Sequence, residues 1–478
     1  MERTLAYNAL QESNYPKGKR AMNMTKTTIF AGSLMMCASA LATATYTYEN
    51  DDKTYVATVT DADTAISQAA IGVLNSNAVT NFIKRGTKTL KVYSNGANAF
   101  TGDVVLETGA IQVGGQNPLG PSGKIMVNNQ RALVFDNATV AKDVLLLGAT
   151  DNENTKISVW AGTSRLNGKL LLGGTSKVVG IAYAACRMTL AGGVEIAPGS
   201  VPVPYFLPTK GSTFVFENKP INIATNLFIT PKVNNDYPLA SDGFGGRFVF
   251  AVADNNMKTI GASSTRIDYA DVKTTVDWAF NKGMTVYFGH DTVWDLCGTS
   301  QRIGQVSVPT ISSGNKPTVI TNSFPEPATL YMGMPFGPNS SAPNIRIGGN
   351  LSVVFEKNIW ETKINYPMTA AGDLIIKGNG TGGANSAILN FLSNGSWANA
   401  TNVVVEGVGK IKIANPNALG RKANVNLKAN SSLEISSGVT VNVRTLTVNG
   451  VQQRRGDYTF GSGTLRVSHP CGFMLSVK

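Results

Sequence analysis

Cysteine is scarce and scattered: Cys37, Cys186, Cys297 and Cys471 are the only four in 478 residues. The first falls in a leader-like stretch, which leaves three at wide spacing. That is neither a disulfide framework nor a metal site. Cys186, Cys297 and Cys471 are expected as buried free thiols, with one disulfide plus a free thiol as the alternative. Long apolar runs are missing as well. Past residue 44 no segment approaches ~20 uninterrupted apolar residues, so no transmembrane helix is expected in the mature chain. Helical periodicity is rare, and its best stretch, Ala62 to Leu74, reads as a short helix or capping turn, or as coil. Charged side chains are only 15% of the chain against 42% hydrophobic, which excludes a disordered polymer.

What charge there is leans basic, with a formal net charge of +12. No dense Lys/Arg run carries it, only pairs such as Lys84-Arg85, Arg421-Lys422 and Arg454-Arg455. The reading is a diffusely basic, solvated surface. Attraction to an anionic polymer or a membrane surface is the sharper alternative. No nucleic-acid motif accompanies the charge, so no nucleic-acid partner is expected.

The front of the chain has an export layout. Lys26 precedes an apolar stretch, residues 27–42, and small residues follow at Ala40, Ala42 and Ala44. That is the order of parts in a secretory signal peptide. Cleavage is expected after Ala42 or Ala44. Met22 or Met24 is then a more natural start than Met1, and residues 1–21 read as an over-extension. The chain thus divides into 1–44, the leader, and 45–478, the mature protein, placed outside the cytoplasm as a secreted or cell-surface protein, periplasmic retention included.

From Tyr46 on, short alternating strands are broken by Gly, Asn and Asp. Thr54 to Thr60, Gly102 to Glu107, Lys124 to Asn128 and Asn424 to Lys428 are examples. The 49 glycines suit the many tight turns between them. An internal repeat binds these strands together. Val104-Val-Leu-Glu107, Ile111-Gln-Val113 and Asn117-Pro-Leu-Gly120 match Val403-Val-Val-Glu406, Ile411-Lys-Ile413 and Asn417-Ala-Leu-Gly420. Leu133-Val-Phe135 then matches Leu433-Glu-Ile435 at the same distance. Short strands recurring in this way mark a solenoid, in which each coil covers the apolar face of the last. A string of sandwich domains is the competing all-β arrangement. The stretch 200–284 reads as irregular. Proline patches at Val201 to Pro204, Ser323 to Pro327 and Met334 to Pro338 read as loops leaving the stack.

The repeat resembles the autotransporter-associated β-strand repeat. Gly96-Ala-Asn98, Phe100-Thr-Gly102, Gly109-Ala-Ile-Gln-Val113 and Pro118-Leu-Gly120 fill that pattern. Val293-Trp-Asp-Leu-Cys-Gly-Thr-Ser-Gln-Arg-Ile-Gly304 is similar to the coil that commonly accompanies it. Arg444 to Gln453, Gly456-Asp-Tyr458 and Gly463-Thr-Leu465 are similar to closing coils of such proteins. The best matches are 80–150 and 285–467. The resemblance implies an all-β, right-handed parallel β-helix, exported and often surface-exposed, with no single activity attached. True autotransporters end in a membrane barrel, and the chain ends at Lys478 without room for one.

No catalytic, cofactor-binding or metal-binding residue is assigned. His290, in Gly289-His-Asp291, is faintly like the Gly-His-Gly of pectin-type glycosidases, but the clustered carboxylates such enzymes need are not beside it. Asp61-Ala-Asp63 and Asp151-Asn-Glu153 are read as turn acids rather than calcium loops. Trp160, Trp278, Trp294, Trp360 and Trp397 are read mostly as packing residues, with stacking on sugar rings as the functional alternative. Asn137-Ala-Thr139 fits a glycosylation triplet of the kind that arises by chance at this composition. The functional expectation is a non-enzymatic structural or adhesive protein, with an anionic or neutral surface polysaccharide as its candidate partner. The alternative is a β-helix polysaccharide lyase or hydrolase, or a carbohydrate binder.

Overall fold

The structure is a computed structural model. It describes residues 44–50, 52–76, 78–94, 98–128, 131–147, 156–174, 176–181, 185–200, 203–208, 211–223, 228–229, 246–257, 265–267, 270–281, 284–288, 291–307, 318–334, 345–356, 361–378 and 387–469. Residues 1–43 of the leader, His290, Trp360, Cys471 and Asp151 to Glu153 lie outside them.

The described chain winds as a parallel β-solenoid, as the repeat implies. Each coil lays one strand on the strand before it, so ladder hydrogen bonds run along the stack rather than within a coil. On the first face Phe82 pairs with Val104, Val104 with Ile125, Ile125 with Val144, Val144 with Leu170 and Leu170 with Val194. A second face runs through Leu90, Ile111, Leu133 and Ile157. A third begins where the long strand Ala132–Val140 bends round a corner, pairing with Lys156–Ala161 by its first half and Thr163–Leu166 by its last. The bend falls at Asn137, with φ of 52°. Coil length varies: Lys124 N–H reaches back 21 residues to Asp103, while Ile221 N–H bonds Asn255 across 34.

Alternation makes the core. Phe82, Val104, Ile125, Val144, Leu170 and Val194 are all fully buried, and one residue along, the side chains turn outward. Burying a Val or Leu in such a stack contributes about 1.5–3 kcal/mol. Corners bring coil backbones so close that some admit no side chain. A Cβ on Gly120, at φ 92°, would lie 1.9 Å from Phe100 O, and one on its repeat mate Gly420 would lie 1.8 Å from Ala398 O. The shared Leu-Gly of the two repeats is thus a requirement of corner stacking.

Strand pairing also runs through the described parts of 200–284, and from there to Trp294 the filling changes from aliphatic to aromatic. Phe214 stacks on Phe248 at 5.5 Å between ring centres, Phe216 on Phe250 at 5.0 Å, and Phe288 on Trp294 at 5.3 Å. One proline patch departs from the loop expectation. Pro204 lies within the strand Val203–Pro208, which pairs in parallel with Ser176–Ile181 and Phe228–Ile229. Its ring removes one N–H, while neighbouring residues keep the ladder to both sides. Ser323 to Pro327 does form a loop.

The Ala-rich stretch forms the helix Gln68–Asn75. Ser67 caps it by accepting from Ala70 N–H at 3.1 Å, and Ala70 and Leu74 face the stack. Three antiparallel pairings occur among the described residues: Thr445–Val448 with Val451–Gln452 is one, and the other two stand at the ends of the described winding. Thr45–Glu49 runs against Thr54–Thr58 at the first coil, and Gly456–Phe460 against Gly463–Val467 at the last described one. Each covers a ladder edge that parallel stacking leaves open.

Candidate functional site

On a solenoid, ligand chemistry has to come from the outward rows, where side chains one coil apart stand side by side. Many of these form ladders of opposite charge. On the first face Lys428 Nζ lies 2.6 Å and Lys377 Nζ 3.7 Å from Glu406. On the second face Lys412 pairs with Glu361 at 2.9 Å and Lys410 with Glu434 at 2.5 Å. Arg85 bridges Glu49 and Glu107, each at 2.6 Å, and Arg165 pairs with Glu217. The hydrogen bond from Lys428 holds Glu406 below the usual carboxylate range, and Lys410 does the same for Glu434. Such groups stay ionised through neutral pH. That suits a fixed ladder and works against shuttling a proton.

Four corner acids are also engaged, with backbone. Asp63, Asp103, Asp143 and Asp277 accept the N–H of Thr89, Lys124, Lys169 and Ser300 in the following coil, at 2.7–2.8 Å. Asp63 is therefore more than a solvated turn acid: it caps the next strand. Asn137 works likewise, accepting from Thr163 N–H at 2.9 Å. A polar ladder continues along the first face, where Asn402 donates to Asp373 at 2.7 Å, Asn424 to Asn402 at 3.2 Å and Thr445 to Asn424 at 2.9 Å.

Among the described residues three charged side chains are buried. Lys84, read from the sequence as part of a solvated basic pair, is fully buried. Its ammonium donates to Arg85 O, Gly86 O and Thr108 O at 2.7–3.1 Å, so its three donors clamp two coils. Lys142 reaches Gly102 O at 2.7 Å and Phe100 O at 3.1 Å, over the Phe100 ring. Burial pulls both amines down to about 8. Asp295 accepts from Ser323 Oγ at 2.6 Å, Ser323 N at 3.0 Å and Cys297 N at 3.1 Å, with Lys273 at 3.4 Å. Burial opposes its ionised form, yet these donors carry it below the usual range. Cys186 and Cys297 are buried free thiols, and burial beside Asp295 pushes Cys297 up to about 11, far from a reactive thiolate.

The tryptophans divide. Trp294 and Trp397 are core residues whose indole N–H groups find Thr274 Oγ1 and Ala370 O. Trp160 and Trp278 are exposed. Trp278 borders a recess of about 310 Å³ at the corner leading into the first face, with Ala253, Asp254, Phe280, Asn281 and Arg302 as the other walls. The Arg302 guanidinium stands 5.7 Å from the Trp278 ring centre and 4.7 Å from that of Tyr331, and pairs with Glu356 at 3.2 Å. Adjacent coils turn this corner on Asp254 and Trp278, with φ of 59° and 55°, and Asp254 N–H donates to Trp278 O at 2.9 Å. Most other non-glycine residues described at such angles are Asn or Asp, and Trp278 is the only aromatic among them. A bulky residue held there costs about 1–3 kcal/mol.

Among the described residues no three His, Cys, Asp or Glu gather where a metal ion would sit, and no helix is long and apolar enough to cross a membrane. His469 is described, with its backbone N–H on Arg444 O at 3.0 Å. No family model, curated protein or solved structure matches the chain. Sequence reasoning missed the buried lysines and the cross-coil role of the corner acids. Lys142, buried, and Asp143, part-exposed, stand side by side at the start of the strand Asp143–Leu146, so position at a strand end does not tell inside from outside.

Proposed function

We propose that this protein is an exported, non-enzymatic β-solenoid that serves as a structural or adhesive scaffold at the cell surface or outside the cell. The observation that carries the reading is the commitment of outward carboxylates to neighbouring coils. Glu49, Glu107, Glu217, Glu361, Glu406 and Glu434 each hold a cation. Asp63, Asp103, Asp143 and Asp277 each hold a backbone N–H. Side chains spent in this way make a rod cohere. A polysaccharide lyase or hydrolase needs acids free to change protonation in one groove.

Export is supported by the cation, apolar stretch and small residues of 26–44. The likeness to the autotransporter-associated repeat supports a surface setting. N-terminal sequencing of protein recovered from culture fluid or envelope tests it. Mature chains beginning at Thr43 or Thr45 are expected. Chains beginning at Met1 or Met22 would remove the export reading.

A further inference from the structure

The position of Trp278 is wrong for a residue chosen by its backbone. Corner positions with positive φ here fall mostly to Asn, Asp and Gly, which accept that conformation. An indole there is strained and 41% exposed, so the core does not repay it either. What the placement achieves is a ring at the edge of a recess whose other walls include an acid and an amide. Strain kept at a concave, part-aromatic surface points to a ligand.

We propose that the recess formed by Trp278, Asp254, Asn281 and Arg302 is a binding subsite for a neutral saccharide. The exposed indole offers a flat apolar face to the C–H side of a pyranose ring. Asp254 has no side-chain partner among the described residues, and an ionised carboxylate accepts from two hydroxyls at once. Arg302, steadied against Trp278 and Tyr331, places donors at the rim. The ligand's charge class follows from the same groups. Arg302 is already answered by Glu356, so the uncompensated charge in the recess is the Asp254 carboxylate, which repels a uronate. The volume, about 310 Å³, lies at the small end of ligand pockets and suits a short stretch of chain rather than a buried oligomer.

This deepens the scaffold reading by giving the rod an adhesive contact, and rests on it only for the setting outside the cell. The test is titration of the full protein, by calorimetry and saturation-transfer NMR, with cellohexaose, xylohexaose, mannohexaose, laminarihexaose and, as the charged control, hexagalacturonate. At least one neutral hexamer should bind, with a Kd of about 1 mM or tighter. Trp278→Gly should weaken that binding at least tenfold while leaving Tm unchanged or higher, because glycine accepts φ of 55° without strain. Asp254→Asn, which also tolerates its φ, should weaken it several-fold. Absence of binding by every neutral hexamer, binding of hexagalacturonate alone, or neutral binding that survives Trp278→Gly would each overturn the proposal. None of those results touches turnover or export, on which the scaffold reading is tested separately.

Discussion

Lys84 and Lys142 show at the residue scale how this stack manages polarity. Lys84 is held by three backbone carbonyls from two coils, and Lys142 reaches back to two carbonyls of an earlier coil. Their amines titrate near 8 when folded and near 10.5 when unfolded. Between those values the unfolded chain binds more protons, so the contribution of these groups to stability rises with pH across that window. Cys297, raised to about 11, and Tyr93, raised to about 12, act in the opposite sense: their folded forms keep protons that the unfolded chain loses. The lysine effect is therefore clearest between about pH 8 and pH 9, before thiol and phenol intervene. Lys142→Met should flatten the rise of the urea midpoint across that interval. An unchanged slope would mean that this ammonium is solvated.

One coil, Ala423 to Ser436, shows both the reach and the limit of the sequence at the scale of elements. Alternation points Val425, Leu427, Leu433 and Ile435 inward, and all four are buried, while Lys428 and Glu434 are exposed. The solenoid propagates damage between neighbours, since each coil is covered by the next. Leu433→Asp forces an unpaired charge inward and should cost more than the ~1.5–3 kcal/mol of the leucine it replaces. Glu434→Lys loses one exposed pair with Lys410 and should change stability little. Limited proteolysis with a protease that does not cut at lysine should cleave early near residue 430 in the first variant only. Equal cleavage in both would refute the inward register.

Val104, Ile111 and Leu133 were legible because aliphatic alternation repeats at nearly fixed spacing. Phe206, Phe214, Phe216, Phe248 and Phe250 were not, because the interior of those coils is filled by stacked rings and the loops between strands lengthen. Pro204 was misread for a related reason: a parallel strand can lose one N–H and keep its pairing. The corner acids were visible as residues but not as caps, since their partners lie 21–26 residues away. Trp278 was visible as an aromatic, but its left-handed backbone is a fact of the fold alone.

The described chain is a stack whose outer faces are laced lengthwise by ion pairs, Asp–backbone bonds and an Asp373–Asn402–Asn424–Thr445 ladder. Each exposed pair contributes little, but a column of them fixes register along the rod. The same columns give these acids fixed partners, and under the scaffold reading proposed above that sets the rod apart from a β-helix that cuts sugar chains. The direct test is turnover by the purified mature protein over neutral and acidic polysaccharides, read as new reducing ends and as unsaturated uronate absorbance. The account predicts no product above a heat-denatured control for any substrate. Sustained cleavage that disappears on a single Asp→Ala, Glu→Ala or His290→Ala substitution, in a variant that keeps its Tm, would contradict it.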